Sequence, residues 1–189
     1  MKRKYELKKR AEAQLETRRR IVEAAVSLHA SKGPAHTSLS EVARVAGVQR
    51  HTLYRHFPEE RDLMLACSGL YTERHPLPDP ARWAGLQGEE QLRVGLREMY
   101  AFFESNEPMM SRLVVDAETH ALTREMIQMR RGAELGRIRQ TLARALPRRA
   151  AAQAALDLAL DFRTWQRLRR SGLSSRAAAD AMARALLAQ

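Results

Sequence analysis

The chain has 189 residues, with 33 Lys or Arg against 22 Asp or Glu, a net charge of +11 and a single cysteine. That length allows one or two domains, and a lone Cys67 excludes a disulfide framework within the chain. No apolar run approaches a membrane span and no signal peptide is visible, so a cytoplasmic location without membrane partners is expected. The charge is uneven: residues 1–56 hold 13 basic and 5 acidic residues, and the remainder is only +3. A basic N-terminal third on a nearly balanced body is the footprint of a nucleic-acid partner. Attraction to a membrane surface or an acidic protein is the competing reading.

Residues 1–20 carry Lys2, Arg3, Lys4, Lys8, Lys9 and Arg10, then Arg18, Arg19 and Arg20. No Gly or Pro interrupts them. Glu6 and Glu16 stand four residues before Arg10 and Arg20, a spacing that favours helix. The first helix is therefore expected to begin well before Thr17. The arm could neutralise phosphates or enter a minor groove, or be a solvated terminus. Ile21, Ala25 and Leu28 form the core stripe. Lys32, Gly33 and Pro34 are stop signals.

The next stretch, SLSEVARVAGVQRHTLYRHF from Ser38 to Phe57, predicts two short helices and a tight turn. Ser38 and Glu41 form a capping box. Leu39, Val42, Ala43 and Ala46 supply one apolar face. Gly47 ends the helix in a left-handed conformation. Val48, Leu53 and Phe57 continue the apolar pattern, and the residues between them are mostly hydrogen-bond donors. A short helix packed on one side and polar on the other suits the major groove.

Ala46-Gly47-Val48 followed by Thr52-Leu53-Tyr54-Arg55-His56-Phe57 resembles the helix-turn-helix of TetR/AcrR-type transcriptional regulators. The resemblance covers roughly residues 17–66; beyond them only length and helix pattern agree. It implies an all-α chain, with a three-helix DNA-binding domain over residues 1–66 and a helical regulatory and dimerisation domain over 67–189. It further implies a homodimer on a palindromic double-stranded operator, usually a repressor released by a small-molecule effector. Arg50 can pair bidentately with guanine and Gln49 with adenine. His51 and Thr52 face the groove or its wall, and Arg55 is a further DNA-binding candidate. Tyr54 and His56 match family positions that bind phosphate, and Ser38 and Ser40 are further phosphate candidates. One departure stands out. The family commonly has Lys at the position of Glu60, where a carboxylate would be repelled by phosphate. Arg61 beside it is the candidate substitute.

Pro58 ends the recognition helix. Glu59, Glu60 and Asp62 start a fourth helix, which runs to about Thr72 on a stripe of Leu63, Cys67 and Leu70. Cys67 reads as a core residue rather than a redox sensor. His75–Gly88 is a linker with three prolines and two glycines, and Trp83 within it is expected to tuck against the body. Helices are then expected over Gln91–Ser105, Pro108–Glu118 and Leu122–Ala145, the last with a stripe of Leu135, Ile138 and Leu142. Arg149–Arg170 reads as one helix, apolar on several faces and hence buried on most sides. The last helix is capped by Ser174 or Ser175 and carries Ala178, Met182, Ala185 and Leu186 on one side.

Two weaker groupings remain. Met99, Phe102, Phe103, Met109, Met110, Leu113 and Met126 are a soft apolar set suited to an effector pocket, or equally to an ordinary core. Leu156, Leu160, Phe162, Trp165, Met182 and Leu186 are candidates for a dimer interface formed as a four-helix arrangement. Asp116, Glu118, His120 and His75 fit no strong metal-ligand spacing and read as surface residues. No catalytic constellation and no cofactor are expected. Two alternatives stay open: a constitutive DNA-binding dimer without ligand control, and a helical adaptor with a basic arm.

Overall fold

The computed structural model describes residues 2–188, with side chains from Tyr5 onward. The side chains of Lys2, Arg3 and Lys4, named above in the basic arm, lie outside the described residues. The described chain is all α-helical, in two compact units. One comprises residues 1–75 with 111–130, the other residues 76–110 with 131–189.

In the first unit, α1 (Lys2–Lys32) leads through a 3-10 turn (Pro34–His36) to α2 (Leu39–Val45), α3 (Arg50–His56) and α4 (Glu60–Arg74). The predicted local signals operate. The Ser38 hydroxyl caps α2 by accepting from the Glu41 N–H. The reciprocal half of the box is replaced, because Glu41 pairs with Lys32 at the end of α1. Gly47 has φ +64°, a conformation that other residues adopt at a cost. The core gathers Ile21, Val22 and Ala25 of α1, Val42 and Ala43 of α2, Leu53 and Phe57, and Leu63, Met64 and Cys67 of α4. Arg74 donates to Glu23 at 2.6 Å and holds the end of α4 to α1.

Residues 111–130 belong to this unit and come from α6 (Glu107–Thr119) and α7 (Ala121–Ala143). Met126 joins the core. Arg130 donates to the Leu65 carbonyl at 2.8 Å. The compact unit is therefore larger than residues 1–66, taking in all of α4 and a segment from later in the chain.

The second unit contains α5 (Gly88–Ser105), the remainder of α6 and α7, α8 (Ala150–Ala159), α9 (Phe162–Arg170) and α10 (Ser175–Leu187). α5 packs along α10, and Arg97 makes two bonds of 2.6 Å to Asp180 across that seam. Phe103, Phe162 and Trp165 form an aromatic cluster with centroids 5.3–6.0 Å apart. Trp83 is fully buried in this unit, and its indole N–H donates to Glu98 at 3.0 Å.

Three expectations need correction. Arg149–Arg170 is two helices, because the Asp161 carboxylate accepts from the Arg163 and Thr164 N–H groups and caps a new start. Leu135 is exposed, so the stripe of α7 narrows to Ile138 and Leu142. On α10, Ala185 faces solvent, and Ala179 and Ala183 are the buried partners of Ala178 and Leu186.

Candidate nucleic-acid interface

Leu53 and Phe57 are fully buried and fix one side of α3 in the core. Helical geometry then sends Gln49, Arg50, His51, Tyr54 and Arg55 to the exposed side. Gln49 is the residue preceding α3, and its side chain makes no capping bond. Its amide is therefore not spent on the backbone there. Arg50 donates to the Tyr54 hydroxyl at 3.1 Å and lies over that ring. His51 Nε2 and Thr52 Oγ1 are 3.3 Å apart. Ser38 and Ser40 are exposed at the start of α2.

His56 differs from its neighbours. It is half-buried, and its Nε2 is enclosed without a hydrogen-bond partner. Burial holds its pKa below the ordinary imidazole value, and the nearby Arg55 and Arg18 cations add to the effect. Both effects favour the neutral ring.

Sequence reasoning missed Arg18. Its guanidinium carbon sits 4.5 Å from the centre of the Phe57 ring, against the residue that ends α3. Arg19 and Arg20 line an open concavity of about 400 Å³ with Glu23, Ala24, Val45 and Ala46. The arginine triplet was visible as charge, but which of its members faced α2 or α3 required the packing of α1. Arg44, exposed in the last turn of α2, is another cation on this unit that motif reasoning passed over.

Arg61 is engaged elsewhere, since its guanidinium pairs with the Glu125 carboxylate. Glu60 is exposed.

The other proposed groups are dispersed. Leu113 and Met126 fall in the first unit, and Met99, Phe102, Phe103, Met109 and Met110 in the second. Met99 and Phe103 are buried core residues. Leu156, Phe162, Trp165 and Leu186 are also buried, so their side chains are not free to meet a partner. Leu160 and Met182 are half-buried. Asp116, read as a surface residue, is only 3% exposed. His120 lies with its Nδ1 2.7 Å from the Thr123 hydroxyl, and Glu118 is exposed.

Residues 21–67, the segment that builds this polar helix on its sealed core, match the family model described as bacterial regulatory proteins, TetR family. The chain thus resembles the TetR family over this N-terminal segment, 47 of its 189 residues. It is 45% identical over 56 residues to the HTH-type transcriptional regulator AcrR of Shigella flexneri, covering 30% of this chain and 26% of that one. It is 39% identical over 67 residues to the HTH-type transcriptional regulator SrpR of Pseudomonas putida, covering 35% and 30%. The matched stretch thus spans under a third of these two relatives. In fold, the chain is similar to a crystal structure described as a TetR-family transcriptional regulator from Mesorhizobium loti. The TM-score is 0.62 at 21% identity, over 93% of this chain and 96% of that one. A second such structure, from Rhodococcus sp., has a TM-score of 0.59 at 20% identity, over 90% and 96%. These two likenesses extend the fold beyond the N-terminal domain. No described helix is long and apolar enough to cross a membrane.

Proposed function

We propose that the protein is a sequence-specific DNA-binding transcriptional regulator, a cytoplasmic repressor that acts as a homodimer on a palindromic operator. The observation that carries this reading is the exposed polar face of α3, raised on the buried pair Leu53 and Phe57. Arg50 and Gln49 are assigned to base edges in the major groove. Ser38, Ser40, His51, Thr52, Tyr54, Arg55 and His56 are assigned to phosphates and the groove wall. The basic arm adds phosphate contacts and salt dependence. Residues 1–66 are the DNA-binding part of this scheme and 67–189 the regulatory and dimerising part. No catalytic step is assigned to any residue.

One recognition helix reads only a few base pairs, so two-fold symmetry is needed to reach a useful specificity. The dimer surface is assigned to what α8 and α10 leave uncovered: Leu158, exposed Leu187, and half-buried Leu160 and Met182. Release by an apolar or cationic small molecule completes the proposal. Its candidate lining is the second unit's set of Met99, Phe102, Phe103, Met109 and Met110.

The test is selection of bound duplexes from a random pool by the full-length protein. Enrichment of one sequence with two inverted half-sites supports the proposal. Binding that depends on salt but favours no sequence would leave only a basic adaptor or a non-specific DNA binder.

A further inference from the structure

Asp116 lies near the end of α6 in the first unit and is almost completely buried. Its Oδ2 accepts the backbone N–H of Ala35 at 2.8 Å. Ala35 is the middle residue of the 3-10 turn between α1 and α2. The turn is held from the other side by its own bonds. The Thr37 hydroxyl donates to the Gly33 carbonyl at 2.7 Å, and the Thr37 N–H donates to the Pro34 carbonyl at 3.1 Å. The next residue is Ser38, the cap of α2.

Gly33 is built to admit this carboxyl. Its φ of +94° is one that side chains disfavour, and a Cβ placed there would collide with Asp116 Oδ2. The helix carrying Asp116 and the turn that launches α2 are therefore fitted to each other. Ala35 is an exposed residue and the bond is part-buried, so its loss costs at the lower end of what a hydrogen bond contributes, while it frees the turn from α6. A shift of α6 is thus felt at Ala35, and from there at the first residue of the helix-turn-helix.

We propose that Asp116 is a positioning residue for DNA reading: its bond to Ala35 fixes the turn that delivers α2, and so sets the attitude of α2 and α3 on the rest of their unit. The proposal rests on the DNA-reading function given above. Nothing in residues 21–67, where the family signature lies, contains this element. It reaches the signature from 81 residues further along the chain.

The experiment uses the full-length protein and the duplex enriched from the random pool. Affinities of wild type, Asp116→Ala and Asp116→Asn are compared for that duplex and for a scrambled one of equal length. Circular dichroism sets equal folded fractions. Asp116→Ala should weaken binding to the selected duplex by about fivefold, the loss of one part-buried hydrogen bond expressed as affinity. Binding to the scrambled duplex should change by less than about twofold, because the phosphate contacts that carry it do not need a set helix angle. Asp116→Asn keeps an oxygen acceptor and should recover most of the loss. Hydrogen exchange at the Ala35 amide should speed up in Asp116→Ala and stay slow in Asp116→Asn. Should Asp116→Ala fail to fold, Asp116→Ser carries the same comparison, since its hydroxyl falls short of Ala35. A folded variant that binds the selected duplex as wild type does would overturn the proposal, and so would equal losses on both duplexes. A wild-type protein that enriches no sequence overturns the DNA-reading function itself, and this proposal with it.

Discussion

The Arg50 guanidinium donates to the Tyr54 hydroxyl one turn further along α3, and its carbon lies 5.5 Å from the centre of the same ring. The pair restrains a long cation that would otherwise sample many rotamers, and so reduces the entropy lost when it meets a base. Tyr54→Phe keeps the ring and removes the hydroxyl. Operator affinity should fall by about 1 kcal/mol, and by less on variant operators that lack the base Arg50 reads. Fluorescence anisotropy on a panel of duplexes measures this. Unchanged affinity would mean that the hydroxyl orients nothing and meets no phosphate.

Arg61 and Glu125 form an ion pair in which each side chain remains 46% and 45% exposed. A pair of that kind contributes little to stability, so it can be broken without unfolding. Glu125→Gln releases Arg61 to a phosphate near Glu60. The slope of log K against log salt should then steepen by about 1. A slope equal to that of wild type would show that Arg61 does not reach the DNA.

His29 is buried beside Cys67, with Nδ1 3.6 Å from the sulfur. Burial pushes its pKa down to about 4; the Asp116 carboxylate pulls the other way, and His120 adds to the depression. Between the ordinary value of 6.5 and that of the folded state, the unfolded chain binds a proton that the native protein refuses. Stability is therefore full above pH 6.5 and is lost as the pH falls toward 4, by about 3 kcal/mol in all. Denaturant melts of wild type and His29→Leu from pH 7 to pH 4 test this. The variant should lose less stability over the interval, and equal losses would remove His29 as the cause.

The C-terminal helices separate two kinds of apolar residue. Phe162 is 3% exposed inside the aromatic cluster, whereas Leu158 is 63% exposed. Phe162→Glu should unfold the second unit, because an unpaired charge would be buried. Leu158→Glu should leave the fold intact and shift the protein toward monomer. Sedimentation at micromolar concentration distinguishes the two effects. Wild type sedimenting as a monomer would contradict the dimer.

What the sequence made legible was local. Ser38 as a cap, Gly47 at positive φ, Pro58 after the end of α3, and Leu53 with Phe57 as core all follow from rules acting within a few residues. The split between α8 and α9 was local too, but Asp161 lay in an apolar, Ala-rich run whose periodicity hid its capping role. The placement of residues 111–130 was not legible. Asp116 and Ala35 are far apart in sequence, and no periodicity names the partner of a helix face. The same reason explains Met126, read as pocket lining and found in the core with Cys67 and Leu63. It also explains Arg61, whose partner Glu125 is 64 residues away.

The central claim is that α3 reads base sequence through Arg50. The most direct measurement is the base preference of Arg50→Ala against wild type, at fixed salt, over every single-base variant of the selected operator. The account predicts a loss of about 1–3 kcal/mol on the preferred operator and a flattened preference at one position in each half-site, with the other positions unchanged. An Arg50→Ala protein with wild-type affinity and an identical preference at every position would contradict it.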